Sequence, residues 1–384
     1  SYSIIYLYFI KSLLLTLLVI SSYVTCMGQT PPNGPEVTDP EWNAYDIETV
    51  VDGFNIPWGL AILPDGSMLI SEKSGDLVHF KNGKKTSITG LPEIWAKGQG
   101  GLLDVVLHPD FENNKYVYIS YASSRGPEKG AHTAIGRGQL NGTQLVNFER
   151  LYKASPNSEA GQHYGSRIAF DKEGYLYFSI GERGAKFENP QDITRDGGKV
   201  YRLYDDGRVP EDNPFYNESG AKKAIYSFGH RNPQGMIVHP KTGAVWVNEH
   251  GPKGGDEINI VKKGANFGWP EITYGINYDG SILSEETAKP GMEQPLYYWV
   301  PSIAPSGFAF ISNSKYPAWE GDFLVGSLKF GYLEKLTIKN NKVTKREKVI
   351  DGLGRVRNVV LGPDGIIYAG IDGKGIVKIV PKGK

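Results

Sequence analysis

Two polar residues in the middle of the sequence are of the types that serve as a general base and as the group that orients it. His163, in GQHYGSRIAF, stands just before an apolar segment that predicts a strand, and Glu182, in IGERG, follows the next predicted strand. A hairpin between these strands would return Glu182 to His163, where a carboxylate fixes the imidazole tautomer and raises its basicity. Two alternatives stay open: a structural histidine, and an ion pair of Glu182 with Arg183 or Arg195.

Two further segments carry side chains suited to a polar ligand. Arg231 and Asn232, in GHRNPQGM, stand together at a predicted turn and suit the stabilisation of a carbonyl or oxyanion. Gln99, in GQGGLLDVV, precedes two glycines that let the backbone approach a ligand closely. Taken alone, Gln99 is also typical of a turn.

A glycine-rich loop in NEHGPKGGDEIN predicts exposed backbone carbonyls around Gly251 and Pro252. Carbonyl oxygens are the hard ligands that calcium accepts. Asp256 and Glu257 add carboxylates nearby, and they are equally suited to capping the loop through its own backbone amides.

Three cationic residues stand near the C-terminus. Because the chain as a whole has no net charge, a local cluster of cations would need a specific reason. Arg355 and Arg357, in GRVRNVV, share one face of a predicted strand, and Lys329, in GSLKFG, belongs to the repeat before it. If all three converge, they predict a site for a polyanionic carboxylate or phosphate ligand. The alternative is that the arginines face solvent on an outer edge.

One phrase recurs along the chain and indicates how these residues are positioned. A turn of the Pro-Asp-Gly type followed by an alternating apolar strand occurs six times: at LPDGSMLISE, HPDFENNKYVYISY, FDKEGYLYFSIGE, HPKTGAVWVNE, YPAWEGDFLVGS and GPDGIIYAGI. A turn plus a strand cannot bury its own faces, so the repeats must stack. We predict an all-β, six-bladed β-propeller over residues 45–384. A strand near 45–51 would close the ring against 375–380, and the alternative architecture is two β-sandwiches.

Composition excludes several classes of protein. Lys and Arg total 42, as do Asp and Glu, and this balance argues against a nucleic-acid partner. The 48 glycines and 24 prolines are spread along the chain, which excludes a mostly helical bundle.

The N-terminal sequence predicts an export signal over residues 1–27. The apolar run Leu13 to Ile20 is too short to cross a bilayer and ends in small and polar residues. Residues 28–44 predict a flexible lead-in. Cys26 is the single cysteine, and membrane attachment is expected only if Cys26 is lipidated. The expected location is therefore periplasmic or secreted.

The polar segments, taken in order, resemble one family of enzymes. The chain is similar to the soluble aldose and glucose dehydrogenases of the glucose/sorbosone dehydrogenase family, which depend on pyrroloquinoline quinone (PQQ), in GQGGLLDVVLHPDF, HYGSRIAFDKEGYLYFSIGERG, GHRNPQGM, NEHGPKGGDEIN, NFGWP, SIAPSG, SLKFG and RVRNVV. The resemblance runs from about Val50 to Pro381 and implies a six-bladed propeller, in agreement with the repeat count.

The resemblance also implies a reaction and a set of site residues. His163 would take the proton of the anomeric hydroxyl of an aldose while hydride moves from C1 to the quinone, which gives a lactone. Glu182 would support this base, and Arg231 would stabilise charge on the quinone. The implied PQQ contacts are Gln99, His163, Arg231, Asn232, Ala304, Lys329, Arg355 and Arg357. The implied calcium ligands are the carbonyls of Gly251 and Pro252, and the implied substrate contacts are Gln99, Gln162, Tyr297 and Trp299.

The chain departs from the glucose-specific members of the family at two positions. It has Gln162 where they carry an Asp before the base, and Val300 aligns with an aromatic that stacks on cofactor and sugar. These departures leave the preferred aldose open, and the chain resembles the broad-specificity aldose branch of the family more than the glucose-specific branch. No CxxCH haem motif is present, so electrons would leave to an external acceptor. The alternatives are a calcium-dependent propeller lactonase and a non-catalytic sugar-binding propeller.

Overall fold

The fold is a ring of six antiparallel sheets. The computed structural model describes residues 34–39 and 44–383, and within them twenty-five strands, β1–β25 in chain order, form six sheets. This arrangement confirms the predicted all-β, six-bladed propeller. Within these residues, no helix is long and apolar enough to cross a membrane.

Each of the first five blades is built from four strands that follow one another in the chain. Blade 1 contains β3 (Pro57–Ile62), β4 (Met68–Glu72), β5 (Leu77–Lys81) and β6 (Lys84–Ser87). Blade 2 contains β7 (Leu102–Leu107), β8 (Tyr116–Ser123), β9 (His132–Asn141) and β10 (Gln144–Lys153). Blade 3 contains β11 (Ile168–Phe170), β12 (Leu176–Ile180), β13 (Lys199–Leu203) and β14 (Ile225–Phe228).

The remaining blades complete the ring. Blade 4 contains β15 (Pro233–Val238), β16 (Val245–Glu249), β17 (Asp256–Ile260) and β18 (Tyr297–Trp299). Blade 5 contains β19 (Pro305–Phe310), β20 (Phe323–Ser327), β21 (Leu333–Lys339) and β22 (Lys342–Ile350). Blade 6 contains β23 (Val356–Leu361), β24 (Ile367–Ile371) and β25 (Gly375–Pro381), and its fourth strand is β2 (Tyr45–Asp52) from the other end of the chain.

The antiparallel pairing of β2 with β25 closes the ring, as the sequence predicts. The six repeated phrases are the turns between the first and second strands of the six blades. Two of these turns contain short helices, α1 (Phe111–Asn114) and a 3-10 helix (Pro317–Trp319). In the Pro-Asp-Gly turn of blade 1, Gly66 has φ +84°, a conformation that favours glycine.

The hydrophobic core lies between neighbouring blades rather than inside any one of them. Leu69 and Leu77 of blade 1, for example, pack in one cluster with Leu102 and Val117 of blade 2, and all four side chains are fully buried. Both faces of these strands are therefore apolar, which explains why the strands of the repeats contain such dense apolar runs.

Arg167 joins four blades at the centre of the ring. This buried side chain donates hydrogen bonds to the carbonyls of Trp58 at 3.3 Å, Gln234 at 2.7 Å and Arg357 at 3.1 Å. Its Nη1 also lies 3.5 Å from Oδ1 of Asp104. These contacts reach blades 1, 2, 4 and 6 from a residue that directly precedes blade 3, so Arg167 links blade 3 to four other blades.

The described part of the predicted lead-in contains a strand. Here β1 (Val37–Thr38) pairs in parallel with β22 of blade 5, so these two residues of the lead-in lie against the propeller. The predicted export signal, including Cys26, lies outside the described residues.

Candidate active site

A polar pocket opens at the end of the channel where each blade's second strand finishes. Its cavity of about 260 Å³ has walls from several blades, formed by residues that include Lys73, Gln99, Tyr164, Asn232, Gln234, His250, Leu328, Arg355 and Arg357. The loops that carry most of the sequence-predicted site residues therefore meet here, although those residues are spread over more than 250 positions of the chain.

His163 and Glu182 are in direct contact beside this pocket. Nδ1 of His163 forms a hydrogen bond with Oε1 of Glu182, and that oxygen also accepts the Gly184 N–H at 2.7 Å. The His163 N–H donates to Oε1 of Gln99 at 2.9 Å, which joins the loop to the pocket wall. The hairpin of blade 3 thus returns Glu182 to His163, as the sequence predicts.

Burial and charge set the protonation of this pair. Burial lowers the pKa of His163 and outweighs the hydrogen bond to Glu182, which raises it. Burial alone would raise the pKa of Glu182, but the bond to His163 and the charge of Arg231 bring it below its ordinary value. The pair therefore favours a neutral imidazole beside an ionised carboxylate.

Arg231 and Asn232 lie on the next loop around the channel. The Arg231 guanidinium donates to the His250 carbonyl at 3.3 Å and lies 5.3 Å from the Trp269 ring. Oδ1 of Asn232 accepts the Gly165 N–H at 3.0 Å, two residues from His163. The two loops are therefore held together at the pocket wall, which both Gly165 and Asn232 line.

Two of the three predicted cations line the pocket. Arg357 donates to Asp372 through Nε at 3.2 Å and Nη2 at 2.6 Å, while the exposed Arg355 reaches Asp372 at 3.5 Å. Lys329 is exposed, and its Nζ lies 5.1 Å from the centre of the Phe330 ring. The residue before it, Leu328, lines the pocket, and its carbonyl accepts a hydrogen bond from Nη1 of Arg355 at 3.3 Å, so Lys329 stands at the edge of the same site.

Lys73 supplies a cation that the sequence analysis missed. It lines the pocket, and burial together with the charge of Arg357 lowers its pKa. Like charges this close favour an anionic ligand. Lys73, Glu182, His250 and Asp372 each stand one or two positions after the second strand of their blade, and this shared position is the sequence signal that identifies all four.

The Gly251–Pro252 loop is buried and tightly folded. The Gly251 N–H donates to Oδ1 of Asp256 at 2.7 Å, and the Ala304 N–H donates to Oδ2 at 2.9 Å. Asp256 thus caps this loop, as one sequence alternative held, and burial raises its pKa to about 6. Ala304 is half-buried with φ +51°, and its carbonyl accepts the N–H of Leu328 in the pocket wall.

The loop is compatible with a cation held by backbone oxygens. Among the described residues, the Gly251 and Pro252 carbonyls accept no backbone hydrogen bond. Oxygens of this kind suit calcium. Within the same residues, no cluster of three or more His, Cys, Asp or Glu side chains is arranged to hold a metal ion. Metal binding here would therefore depend on carbonyl oxygens.

Two of the predicted substrate contacts are buried in this structure. Tyr297 and Trp299 are 0% and 1% exposed and belong to the core between blades 4 and 5. They stand two positions apart on β18, so both rings point to the same neighbouring blade, where Trp299 Nε1 donates to Glu334 at 3.2 Å. Gln162, in contrast, is exposed next to His163 and can reach a ligand.

Comparison with known proteins decides the family. The family model described as Glucose / Sorbosone dehydrogenase matches residues 54–378. The chain belongs to the glucose/sorbosone dehydrogenase family. A curated member, Aldose sugar dehydrogenase YliI of Escherichia coli (strain K12), is 42% identical over 347 residues, which cover 88% of this chain and 93% of the relative.

Solved structures of the family share the fold. The apo-form crystal structure of the soluble aldose sugar dehydrogenase from Escherichia coli has a TM-score of 0.85 and 40% identity, covering 88% of this chain and all of that one. The PQQ-bound form of an aldose sugar dehydrogenase from Streptomyces coelicolor has a TM-score of 0.73 and 27% identity, with 90% and 100% covered. The family's propeller is therefore the scaffold on which this pocket is built.

Proposed function

We propose that this chain is a PQQ- and calcium-dependent dehydrogenase that oxidises the C1 hydroxyl of aldoses to lactones and passes the electrons to an external acceptor. The observation that carries the proposal is the contact between His163 and Glu182 beside a cation-lined pocket. Membership of the family and the PQQ-bound relative support the choice of cofactor.

The pocket suits an anionic cofactor. Lys73, Arg355 and Arg357 converge on it, and Asp372 is the carboxylate that pairs with both arginines. The remaining positive charge suits a tricarboxylate such as PQQ. The adjoining Gly251–Pro252 carbonyls would hold calcium. When bound, PQQ would supply a two-electron acceptor and calcium a Lewis acid that polarises it.

The protein's own contribution is a positioned base. Because Nδ1 of His163 donates its proton to Glu182, the lone pair for accepting a substrate proton is on Nε2. The lowered pKa of His163 keeps Nε2 unprotonated at neutral pH, and the Glu182 carboxylate then stabilises the imidazolium that forms. Arg231 adds a positive charge next to this pair.

The first experiment is a reconstitution. Metal-depleted protein would be titrated with PQQ with and without calcium, and dye reduction would be followed with a panel of mono- and disaccharide aldoses. We expect activity only when both PQQ and calcium are added. PQQ binding without oxidation of any aldose would favour the sugar-binding alternative, whereas hydrolysis of a lactone would favour the lactonase.

A pair of variants tests the role of the base. His163→Ala should bind PQQ but lose turnover by roughly 100-fold or more, since positioned proton transfer contributes about that factor. The matched control is His239→Ala, because His239 lies on the turn between β15 and β16 at the opposite end of blade 4. Equal loss of activity in both variants would contradict the assignment.

The location of the protein is a separate proposal. We propose export, on the strength of the apolar segment Leu13 to Ile20 followed by small and polar residues. N-terminal sequencing and mass analysis of the protein from cells test it. A chain that keeps residues 1–27 would contradict it, and a lipid adduct on Cys26 would establish membrane attachment.

A further inference from the structure

Arg183 is a buried cation next to the candidate base. Its side chain is 1% exposed, and among the described residues it forms no ion pair with a carboxylate. Its guanidinium instead donates to three backbone carbonyls: Nε to Gln162 at 3.0 Å, Nη1 to Ala131 at 2.7 Å and Nη2 to Ala160. The sequence alternative of an ion pair between Glu182 and Arg183 is therefore wrong.

The same residue holds the chain on both sides of His163. The Arg183 N–H donates to the His163 carbonyl at 3.3 Å, and its guanidinium carbon lies 3.7 Å from the centre of the Tyr164 ring. His163 has φ +59°, a left-handed conformation that is uncommon for residues with a side chain. The contacts of Arg183 with residues 160–164 are positioned to impose it.

We infer that Arg183 is a positioning residue that fixes the backbone of the His163 loop, while its neighbour Glu182 fixes the imidazole ring. This inference rests on the proposed function, in which His163 is the base. Glu182 and Arg183, which follow β12, thus have different roles. The Glu182 side chain sets the tautomer of His163, and the Arg183 side chain fixes the position of its backbone. A full guanidinium is needed because three carbonyls in different directions share it.

The positive charge of Arg183 should also affect the pKa of His163, which its packing alone would not do. The charged or titratable groups that act on His163 are Glu182, Arg231, Arg183 and, across the pocket wall, His250. The positive charge of Arg183 disfavours the imidazolium and so contributes to the lowered pKa of His163. Removing that charge should raise this pKa.

The test compares Arg183→Met, Arg183→Lys and the matched control Arg202→Met. Arg202 is also buried, but it bonds Asn213 and Asp212 in blade 3. We expect Arg183→Met to lower kcat by roughly 10- to 100-fold, the scale of a misplaced catalytic group, with the PQQ dissociation constant changed by less than about threefold. Its pH profile should also move its acid limb to higher pH. Arg183→Lys should lower kcat without moving that limb, and Arg202→Met should do neither.

A second measurement does not depend on turnover. ¹⁵N-histidine NMR of the cofactor-free protein, with His163 assigned by comparison with His163→Ala, would report the His163 pKa and its Nδ1–H directly. We expect a raised pKa in Arg183→Met alone. A kcat within about twofold of wild type and an unchanged His163 pKa would overturn the inference. If Arg183→Met does not fold, a wild-type kcat in Arg183→Lys would overturn it. If the wild type oxidises no aldose, the proposed function fails, and the Nδ1–H signal, which reports whether His163 keeps its bond to Glu182 in each variant, still decides the positioning.

Discussion

His163 and Glu182 stand 19 positions apart in sequence, yet their side chains form a hydrogen bond. The first hairpin of blade 3 lies between them and returns the chain to its starting point. His163 precedes β11 and Glu182 follows β12, so the turn that repeats in every blade brings them together. The geometry of the pair is thus a direct consequence of the propeller repeat.

Glu182→Gln tests this relationship through pH. The carboxylate raises the pKa of His163, so its loss should lower that pKa further and move the acid limb of kcat/KM to lower pH. The maximal rate should nevertheless fall by about 10- to 100-fold, because the tautomer and the imidazolium lose their partner. Initial rates across pH check both expectations. An acid limb that moves to higher pH would show that another group dominates the titration.

The cation that faces the cofactor can be identified by comparing two lysines. Lys73 lines the pocket, whereas Lys329, for which the family resemblance implies a role, is exposed with its Nζ beside the Phe330 ring. Lys73→Met should weaken PQQ binding by roughly tenfold, which corresponds to about 1.4 kcal/mol. Lys329→Met should leave it nearly unchanged. Fluorescence titration with PQQ at low and moderate ionic strength measures both. The reverse order of effects would restore the assignment made from the sequence.

The sequence predicts the fold because its repeats are local. Each turn between the first and second strands of a blade is specified by a few neighbouring residues. The strand after each turn must be apolar on both faces, because it packs between two other blades. Six copies of that pattern, with a strand at each end of the chain, leave few alternatives to a closed ring. The contact between β2 and β25 is long-range, but closure of the ring requires it.

The site is less predictable, because side-chain direction depends on the tertiary structure. Tyr297 and Trp299 are aromatic residues of the kind that stack on sugars, but the register of β18 points both rings into blade 5. Lys73 has no distinctive neighbours in sequence and becomes recognisable only through its position after β4. Asp256, by contrast, does what a carboxylate in a glycine-rich loop is expected to do.

Asp256→Ala should loosen the loop that carries the candidate calcium ligands. The change leaves the N–H groups of Gly251 and Ala304 buried without an acceptor, at a cost of about 1–3 kcal/mol each. We expect a lower free energy of unfolding and weaker calcium binding. Denaturant titration and calorimetric titration with calcium measure the two effects. Lost stability with unchanged calcium affinity would separate Asp256 from the metal loop.

Arg167→Met should remove the link between blades at the channel centre and isolate Asp104. Both side chains are buried, and breaking a buried pair in this way costs about 3–5 kcal/mol. Burial already raises the pKa of Asp104, while the charge of Arg167 opposes that rise. In the variant this pKa therefore lies further above its unfolded value, so the lost stability should return in part as pH falls through it. The double variant Asp104→Asn/Arg167→Met should be more stable than Arg167→Met at neutral pH, because no buried charge is left unpaired. Thermal unfolding of the wild type, Arg167→Met, Asp104→Asn and the double variant across pH measures the coupling between the two side chains. Additive effects at every pH would show that Arg167 acts through its three carbonyl partners instead.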